Sequence, residues 1–446
     1  MKKQVYLYTL VSALGGLLFG FDIACINGAI PFFSAYFKLS GVMTGWAVSA
    51  LLIGCMPGAI IAGTLADRYG FKKVLKWLAF LFFITALGAG LATSFKWFVI
   101  FRFLGGIAVG GSSVLCPMYI AEIAPAKYRG RLAVTFQLAI VIGVLVAFVV
   151  DLIFLHAVHN WRWMIISEAF PAILFMFMLF LVKESPRWLA KKGRFEEAEQ
   201  VIRLVSQDSN VENVMNEIYS SIEIEKTGKK INIFKPPYLK LVLIGASIGM
   251  MNQFTGTNAV MYYATDIFRS AGFSADSAAW QTLIIGVVNL VFILIGMRII
   301  DTVGRKNMLM YGSIAMAIFL GIFSWAYISG NNKGLLPLIM LLGFIASFEM
   351  SQGAVIWVIL SEMFPNNIRG RGTSIGTCSH WFFNALIALM FPIIVAALPK
   401  DKGTGYIFAF FAIATFLSFF FIKKFIVETK GKSLEELELE LLNNKN

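Results

Sequence analysis

Twelve stretches of about 20 mainly apolar residues punctuate this chain, and each is long enough to cross a hydrocarbon layer of roughly 30 Å as a helix. They cover approximately residues 5–30, 42–65, 73–93, 97–121, 132–154, 163–182, 240–268, 278–300, 307–329, 335–361, 373–398 and 404–425. A water-soluble domain has no use for so much apolar surface: 58% of the 446 residues are hydrophobic and 14% are charged. The expected fold is therefore all-α and integral to a membrane. Small polar interruptions in the first stretch, and no small-residue cleavage site behind it, read as a retained helix rather than a signal peptide.

The net charge of +13 raises nucleic acid as a partner, but the placement of the charge argues against it. Ten basic residues sit in the four loops after spans 2, 4, 8 and 10: Arg68, Lys72, Lys73, Lys127, Arg129, Arg131, Arg305, Lys306, Arg369 and Arg371. The six opposite loops hold seven: Lys38, Lys96, Arg162, Arg269, Lys333, Lys400 and Lys402. By the positive-inside rule the first group is cytoplasmic, with both termini on the same side. Cys25, Cys55, Cys116 and Cys378 fall inside spans at no metal-like spacing, so neither a metal site nor a disulfide is expected.

The only long polar segment, 184–238, is an amphipathic helical linker that divides the chain into spans 1–6 and 7–12. The expected domains are thus a bundle over 1–183, the linker, a second bundle over 239–425, and a tail over 426–446. Both halves repeat the same punctuation. GTLADRYGFKK after span 2 answers RIIDTVGRKNM after span 8; EIAPAKYRGRLA after span 4 answers EMFPNNIRGRGT after span 10; KESPRWL after span 6 answers VETKGKSL after span 12. The offsets are close, 234 residues from Asp67 to Asp301, 240 from Glu122 to Glu362 and 244 from Glu184 to Glu428. Six spans repeated in parallel describe a two-bundle transporter with its site between the halves, near the midplane.

These motifs, taken in order along nearly the whole chain, resemble the sugar porter family of the major facilitator superfamily. Phe71-Lys72 stands where the family usually has two basic residues, and Val427 where it usually has proline. Acids and arginines at water-facing helix ends suit ion pairs that form when one side closes. The resemblance assigns such a cytoplasmic gate to Asp67, Glu122, Arg129, Asp301, Arg305, Glu362 and Arg369, with Glu184 and Arg187 docking the cytoplasmic helices beneath it. Each exposed pair is worth only about 0–1 kcal/mol, so the set acts by biasing a near-balanced equilibrium. Positive-inside anchors and helix caps are the alternative reading of the same residues.

One charged residue, Asp22, interrupts GGLLFGFDIACINGAI at 15–30. An acid at membrane depth marks a functional site by default. At a rise of 1.5 Å per residue, Asp22 lies roughly 25 Å from the cytoplasmic side and Arg102 about 8 Å below the outer surface. Glu168 falls about five residues into span 6, at the same level. A buried triad with one more acid than base leaves a carboxylate free to titrate, its balance set by desolvation against the arginine. The resemblance agrees: proton-coupled sugar porters have an aspartate at this position of span 1, whereas facilitative glucose carriers have asparagine. A static salt bridge between spans 1 and 4 is the alternative.

A neutral polyol needs donors and acceptors without net charge, and flat apolar faces for its C–H surface. Mid-span positions supply them: Gln137 in span 5; Asn252, Gln253 and Asn258 in span 7; Asn289 in span 8; Trp357 in span 10; His380, Trp381 and Asn384 in span 11. Amides facing lipid are expensive, so they are expected to point inward; interhelical hydrogen bonding is their other use. QLAIVIG at 137–143 and NQFTGTNAVMYY at 252–263 match the family's span 5 and span 7 motifs, with Asn252 in place of the usual glutamine. Trp357 and Trp381 match the two indoles of the family's pocket, and His380 stands where relatives have asparagine or glutamine. Glu349 matches an acidic position that reads as part of the inner gate. SQGAVIW at 351–357 lacks the usual prolines, so a bend in span 10 is expected at Gly353. Gly16/Gly20 and Gly106/Gly110 have the spacing of close helix contacts.

The expected activity is proton-coupled uptake of a hexose or pentose across the plasma membrane. The expected partners are a small neutral sugar, a proton and the bilayer, with no nucleic acid, no cofactor and no metal, and the chain is expected to act as a monomer. An uncoupled carrier fits poorly with Asp22, and a drug antiporter would not need an amide-rich cage. A sugar sensor usually has a longer tail, and no catalytic dyad or phosphate loop points to an enzyme.

Overall fold

The computed structural model describes residues 2–125, 129–205, 211–227, 232–236, 238–331, 333–365, 368–399 and 402–430. Among them every regular element is helical. The first half holds α1 (Lys3–Ala24), α2 (Ile26–Phe37), α3 (Gly41–Tyr69), α4 (Phe71–Gly90), α5 (Phe95–Ile123), α6 (Arg129–Phe154), α7 (Asn160–Ile166) and α8 (Ala169–Met178). Then come α9 (Pro186–Lys191), α10 (Phe195–Val205) and α11 (Val211–Thr227). The second half holds α12 (Tyr238–Phe254), α13 (Thr257–Ser270), α14 (Ala275–Val303), α15 (Arg305–Ile328) and α16 (Leu336–Phe348). A π-helical turn, Glu349–Gly353, joins α16 to α17 (Ala354–Glu362), and α18 (Arg369–Ala397) and α19 (Gly403–Phe425) complete the chain.

Among the described residues, eleven helical stretches are apolar and long enough to cross a membrane. The twelfth expected span is α12 and α13, which miss that test because the helix is interrupted. Gly256 takes the left-handed conformation there, with φ +83°, and Thr255 Oγ1 donates to the Asn252 carbonyl at 2.7 Å. Three more spans are broken. Span 1 divides at Cys25. Span 6 divides at Ser167–Glu168, where Pro171 has no N–H to offer the carbonyl four residues back. Span 10 carries the π-turn, which ends on Gly353, the expected bend. Interrupted helices free backbone groups inside the membrane, where they are tolerated only against protein or a polar cavity.

The chain packs as two compact units. One comprises residues 1–23, 54–147 and 162–230; the other comprises 24–53, 148–161 and 231–446. The dividing lines thus fall near the end of α1 and within α3, α6 and α7, as well as within the polar linker. In the first unit α4 packs on α5 and α8; in the second, α15 packs in the same way on α16 and α19. Close approach recurs too. A side-chain carbon at Gly20 of α1 would strike the Ile140 carbonyl of α6, and one at Gly110 of α5 the Cys55 carbonyl of α3. In the second unit Gly249 of α12 abuts the Gly376 carbonyl of α18 in the corresponding pair. The α9–α11 segment has its own small core, built on Leu189, Ala198, Val201, Ile202, Val211 and Met215.

Candidate functional site

Three groups of polar residues stand out from this apolar framework. The first is the buried charge of the first unit. Arg102 on α5 donates to the Asp22 carboxylate on α1 and, at 3.4 Å, to the Asp22 carbonyl. Both side chains are 3% exposed. Glu168, at the break between α7 and α8, is equally buried and near enough for the charges of Asp22 and Arg102 to act on it. Its Oε1 accepts no hydrogen bond among the described residues. The structure therefore brings the three expected residues together as one direct pair with a second acid in electrostatic range. Gly105 keeps the space beside Asp22 open: a side-chain carbon there would lie 3.4 Å from both Asp22 Oδ2 and Thr85 Oγ1.

The second group belongs to the second unit. Gln253 is its centre. Its Nε2 donates to Asn252 Oδ1 at 3.0 Å and faces His380 Nδ1 at 2.9 Å, while its Oε1 accepts from Asn258 Nδ2 at 2.8 Å. An N–H facing a ring nitrogen requires that nitrogen to be unprotonated, so the contact fits neutral imidazole. Asn252 Nδ2 donates onward to Gln352 Oε1 at 3.1 Å. The indole of Trp357 and the His380 ring lie 4.9 Å apart, with Trp381 5.4 Å from His380 on the other side. Trp381 is fully buried. Asn384 accepts from the Tyr262 hydroxyl at 3.0 Å, which makes it an interhelical tie within the same region. Asn289 makes only a long contact, 4.0 Å, to Met261 Sδ, and its carbonyl oxygen accepts nothing among the described residues. Gln137, half-buried on α6, belongs to the first unit. Gln352 was not among the expected residues. It lies in the segment that lacks the usual prolines, and a buried amide there was the available signal.

The third group lies at the helix ends beside the basic loops, and it is built twice. Glu184 accepts the backbone N–H groups of Phe71 at 2.9 Å and Lys72 at 3.1 Å, capping α4 from outside its own helix. Glu428 accepts those of Arg305 at 2.9 Å and Lys306 at 3.0 Å, capping α15 identically. Each cap needs the glycine before it. Gly70 and Gly304 both have φ +92°, and a side chain on either would collide with the glutamate. The next residue then holds a second acid: Ser185 donates to Glu122, and Thr429 donates to Glu362 at 2.6 Å. Arg305 Nη2 lies 3.5 Å from Glu362. The first unit has Phe71 in the corresponding place, and there Arg187 and Lys191 are the cations that act on Glu122. Trp188 Nε1 donates to the Asp67 carbonyl at 3.0 Å, docking α9 under α3. Burial pushes the Glu184 carboxyl up from its ordinary value, against the pull of the Ser185, Lys72 and Phe71 N–H groups and the Lys72 charge.

The side chains of Arg129, Asp301 and Arg369 lie outside the described residues. Glu349 does not join Glu362 and Arg305. It opens the π-turn, thirteen residues before Glu362 and 4% exposed, and Gly296 of α14 and Gly312 of α15 allow close packing against that turn. The acidic type at this position was legible; its depth in an interrupted helix separates it from the water-facing pairs.

Residues 8–441 match the family described as "Sugar (and other) transporter". The arabinose-proton symporter of Bacillus subtilis (strain 168) is 36% identical over 441 residues, covering 97% of this chain and 94% of that protein. The D-xylose-proton symporter of Escherichia coli (strain K12) is 35% identical over 473 residues, covering 98% and 96%. A partially occluded inward-open structure of the xylose transporter XylE from E. coli superposes with a TM-score of 0.84 at 31% identity, covering 96% of this chain and all of that one. XylE bound to 6-bromo-6-deoxy-D-glucose gives 0.82 at 35% identity. The twelve spans are therefore the two six-helix bundles of a transporter and not an enzyme, and the chain belongs to the sugar porter family of the major facilitator superfamily.

Proposed function

We propose that this protein imports a monosaccharide together with protons by alternating access, with Asp22 as the proton acceptor. The observation that carries the reading is the buried Asp22–Arg102 pair with Glu168 in range: two acids and one base, out of water. A carboxylate that loses its arginine at this depth is unstable unless it takes a proton. Protonating Asp22 releases Arg102, so the proton and the rearrangement of α1 against α5 are linked. One positive charge moving through 100 mV supplies about 2.3 kcal/mol, which supports roughly fifty-fold accumulation of a neutral solute.

The sugar is held by the Gln253-centred amides with Asn289 and Asn384, and by the faces of Trp357 and Trp381, while Gln137 is the first unit's own proposed sugar-binding residue. The cage has no charged residue among those named, which suits a neutral ligand. Two relatives are named for arabinose and xylose, so pentoses are the first candidates, and hexoses the second. The repeated helix-end clusters, including Asp67, Glu122, Glu184, Glu362 and Arg305, act as the cytoplasmic gate. The excess of basic residues in one set of loops supports cytoplasmic termini, and a plasma-membrane location goes with the uptake proposed here. The functional bundles are 1–183 and 239–425, joined by the 184–238 linker, and the working unit is one chain. Uncoupled carriage and sugar sensing are the competing readings. Radiolabelled pentoses and hexoses offered to proteoliposomes, with and without an imposed inward proton gradient, separate them. Gradient-driven accumulation supports symport, equilibration alone supports a facilitator, and binding without uptake supports a sensor.

A further inference from the structure

Asp151 has no part in the functions described above, yet it is built into a contact. It lies three residues before the end of α6 and is 6% exposed. Its Oδ2 accepts the Gly28 N–H at 3.0 Å, and its Oδ1 is buried and accepts nothing among the described residues. Gly28 is the third residue of α2, whose first N–H groups have no acceptor within that helix. A carboxylate at this end is favoured by the helix dipole, and a charge-assisted bond is about twice as strong as a neutral one. Only glycine allows the approach, since a side-chain carbon at position 28 would lie 2.6 Å from the Asp151 carboxyl.

The adjacent residue turns this cap into a latch. Asn27 uses both ends of its amide on α13, donating to the Met261 carbonyl at 2.6 Å and accepting the Thr265 N–H at 3.1 Å. Asp151 thus fixes the start of α2, and the start of α2 clasps α13. The titratable and charged groups nearby in sequence or on the packed elements are Cys25, Tyr36 and Lys38 with α2, Tyr262, Tyr263, Asp266 and Arg269 on α13, and His156, His159 and Asp276 on the adjoining loop and α14. His156 and Asp276 pair with each other at 2.6 Å in solvent. The Gly28 N–H is the one polar contact of Asp151 among the described residues.

We propose that Asp151 is a second proton-binding site, whose charge state decides whether α2 stays clasped to α13. Ionised, it holds the start of α2 and keeps the clasp. A proton added from water to Oδ1 leaves a neutral acid that holds the Gly28 N–H more weakly, and the population shifts toward the released helix. That this end faces outside rests on the topology proposed above; the latch itself does not. An acidic exterior then favours opening to the exterior, the side on which a symporter loads.

The test is hydrogen exchange of the 26–37 segment in the full-length protein in lipid nanodiscs, read by mass spectrometry between pH 8 and pH 5.5 and corrected for intrinsic exchange. It is run in Asp22→Asn, so that a wrong assignment of the coupling aspartate shows only in accumulation assays and not here. Protection of 26–37 is expected to fall about tenfold on acidification, the scale of one charge-assisted hydrogen bond. In Asp22→Asn/Asp151→Asn, which keeps an oxygen acceptor but does not ionise, it is expected to stay within about twofold. Protection that ignores pH in Asp22→Asn overturns the proposal, as does an undiminished fall with Asp151→Asn. Should Asp151→Asn fail to fold, His156→Gln decides: the fall persists if Asp151 is the sensor, and its loss there overturns the proposal.

Discussion

Replacing Arg102 by leucine is expected to destabilise the first unit severely, and replacing Asp22 as well is expected to restore much of the loss. The side chains of the pair are each 3% exposed, and Glu168 beside them is also buried. Removing Arg102 takes away the base whose charge acts on both acids. Breaking a buried pair from one side costs about 3–5 kcal/mol. For a unit of under 200 residues, at about 2–4 °C per kcal/mol, the melting temperature should drop on the order of 10 °C. Asp22→Asn/Arg102→Leu removes both charges and leaves Glu168 to take a proton, so it should recover at least about half of the drop. Thermal unfolding in one detergent at one scan rate measures all four proteins of the cycle. If Arg102→Leu melts with the wild type, or if the double variant falls by the sum of the singles, Arg102 does not compensate a buried acid and the charge argument is wrong.

Three further outcomes follow from the same structure. Gly70→Ala and Gly304→Ala, at φ +92° with ψ near 150°, should each cost about 1–3 kcal/mol and lower the melting temperature; full stability in either would mean the glutamate caps are not made. The raised Glu184 carboxyl ionises later in the folded state than in the unfolded chain. Its contribution to stability should therefore decline as pH rises from about 4.3 to its folded value, and Glu184→Gln should lose that component of the melting-temperature profile. Gln253→Ala removes the group shared by Asn252, Asn258 and His380; sugar Kd by calorimetry should rise at least about tenfold, and an unchanged Kd would place the sugar elsewhere.

The spans and the repeat were legible because membranes impose them: length sets the spans, and the basic loops and matched motifs set the two halves. The levels of Asp22, Arg102 and Glu168 were legible for a related reason. Helices that cross a bilayer run nearly parallel, so axial rise fixes depth. It does not fix rotation, and the direct Asp22–Arg102 bond, with Glu168 Oε1 accepting nothing among the described residues, had to be seen. The interruptions were harder. Span 1 divides at Cys25, with no proline or glycine at the break, and the π-turn that removes Glu349 from the gate has no turn signature beyond Gly353. Other contacts between distant segments were not readable. Glu428 lay in a matched motif, but nothing in VETKGKSL says that it caps α15. Asn27 bonds α13 across more than 230 residues, and Gln352, within the π-turn, joins the amides of α12.

The central claim is that Asp22 carries the coupling proton. The most direct measurement is accumulation of the transported sugar in proteoliposomes under an imposed inward proton gradient, alongside sugar exchange at equilibrium, for the wild type and Asp22→Asn. Gradient-driven accumulation is expected in the wild type, none above equilibration in Asp22→Asn, and exchange retained in both. Equal accumulation in the two proteins would contradict it and move the proton to another acid.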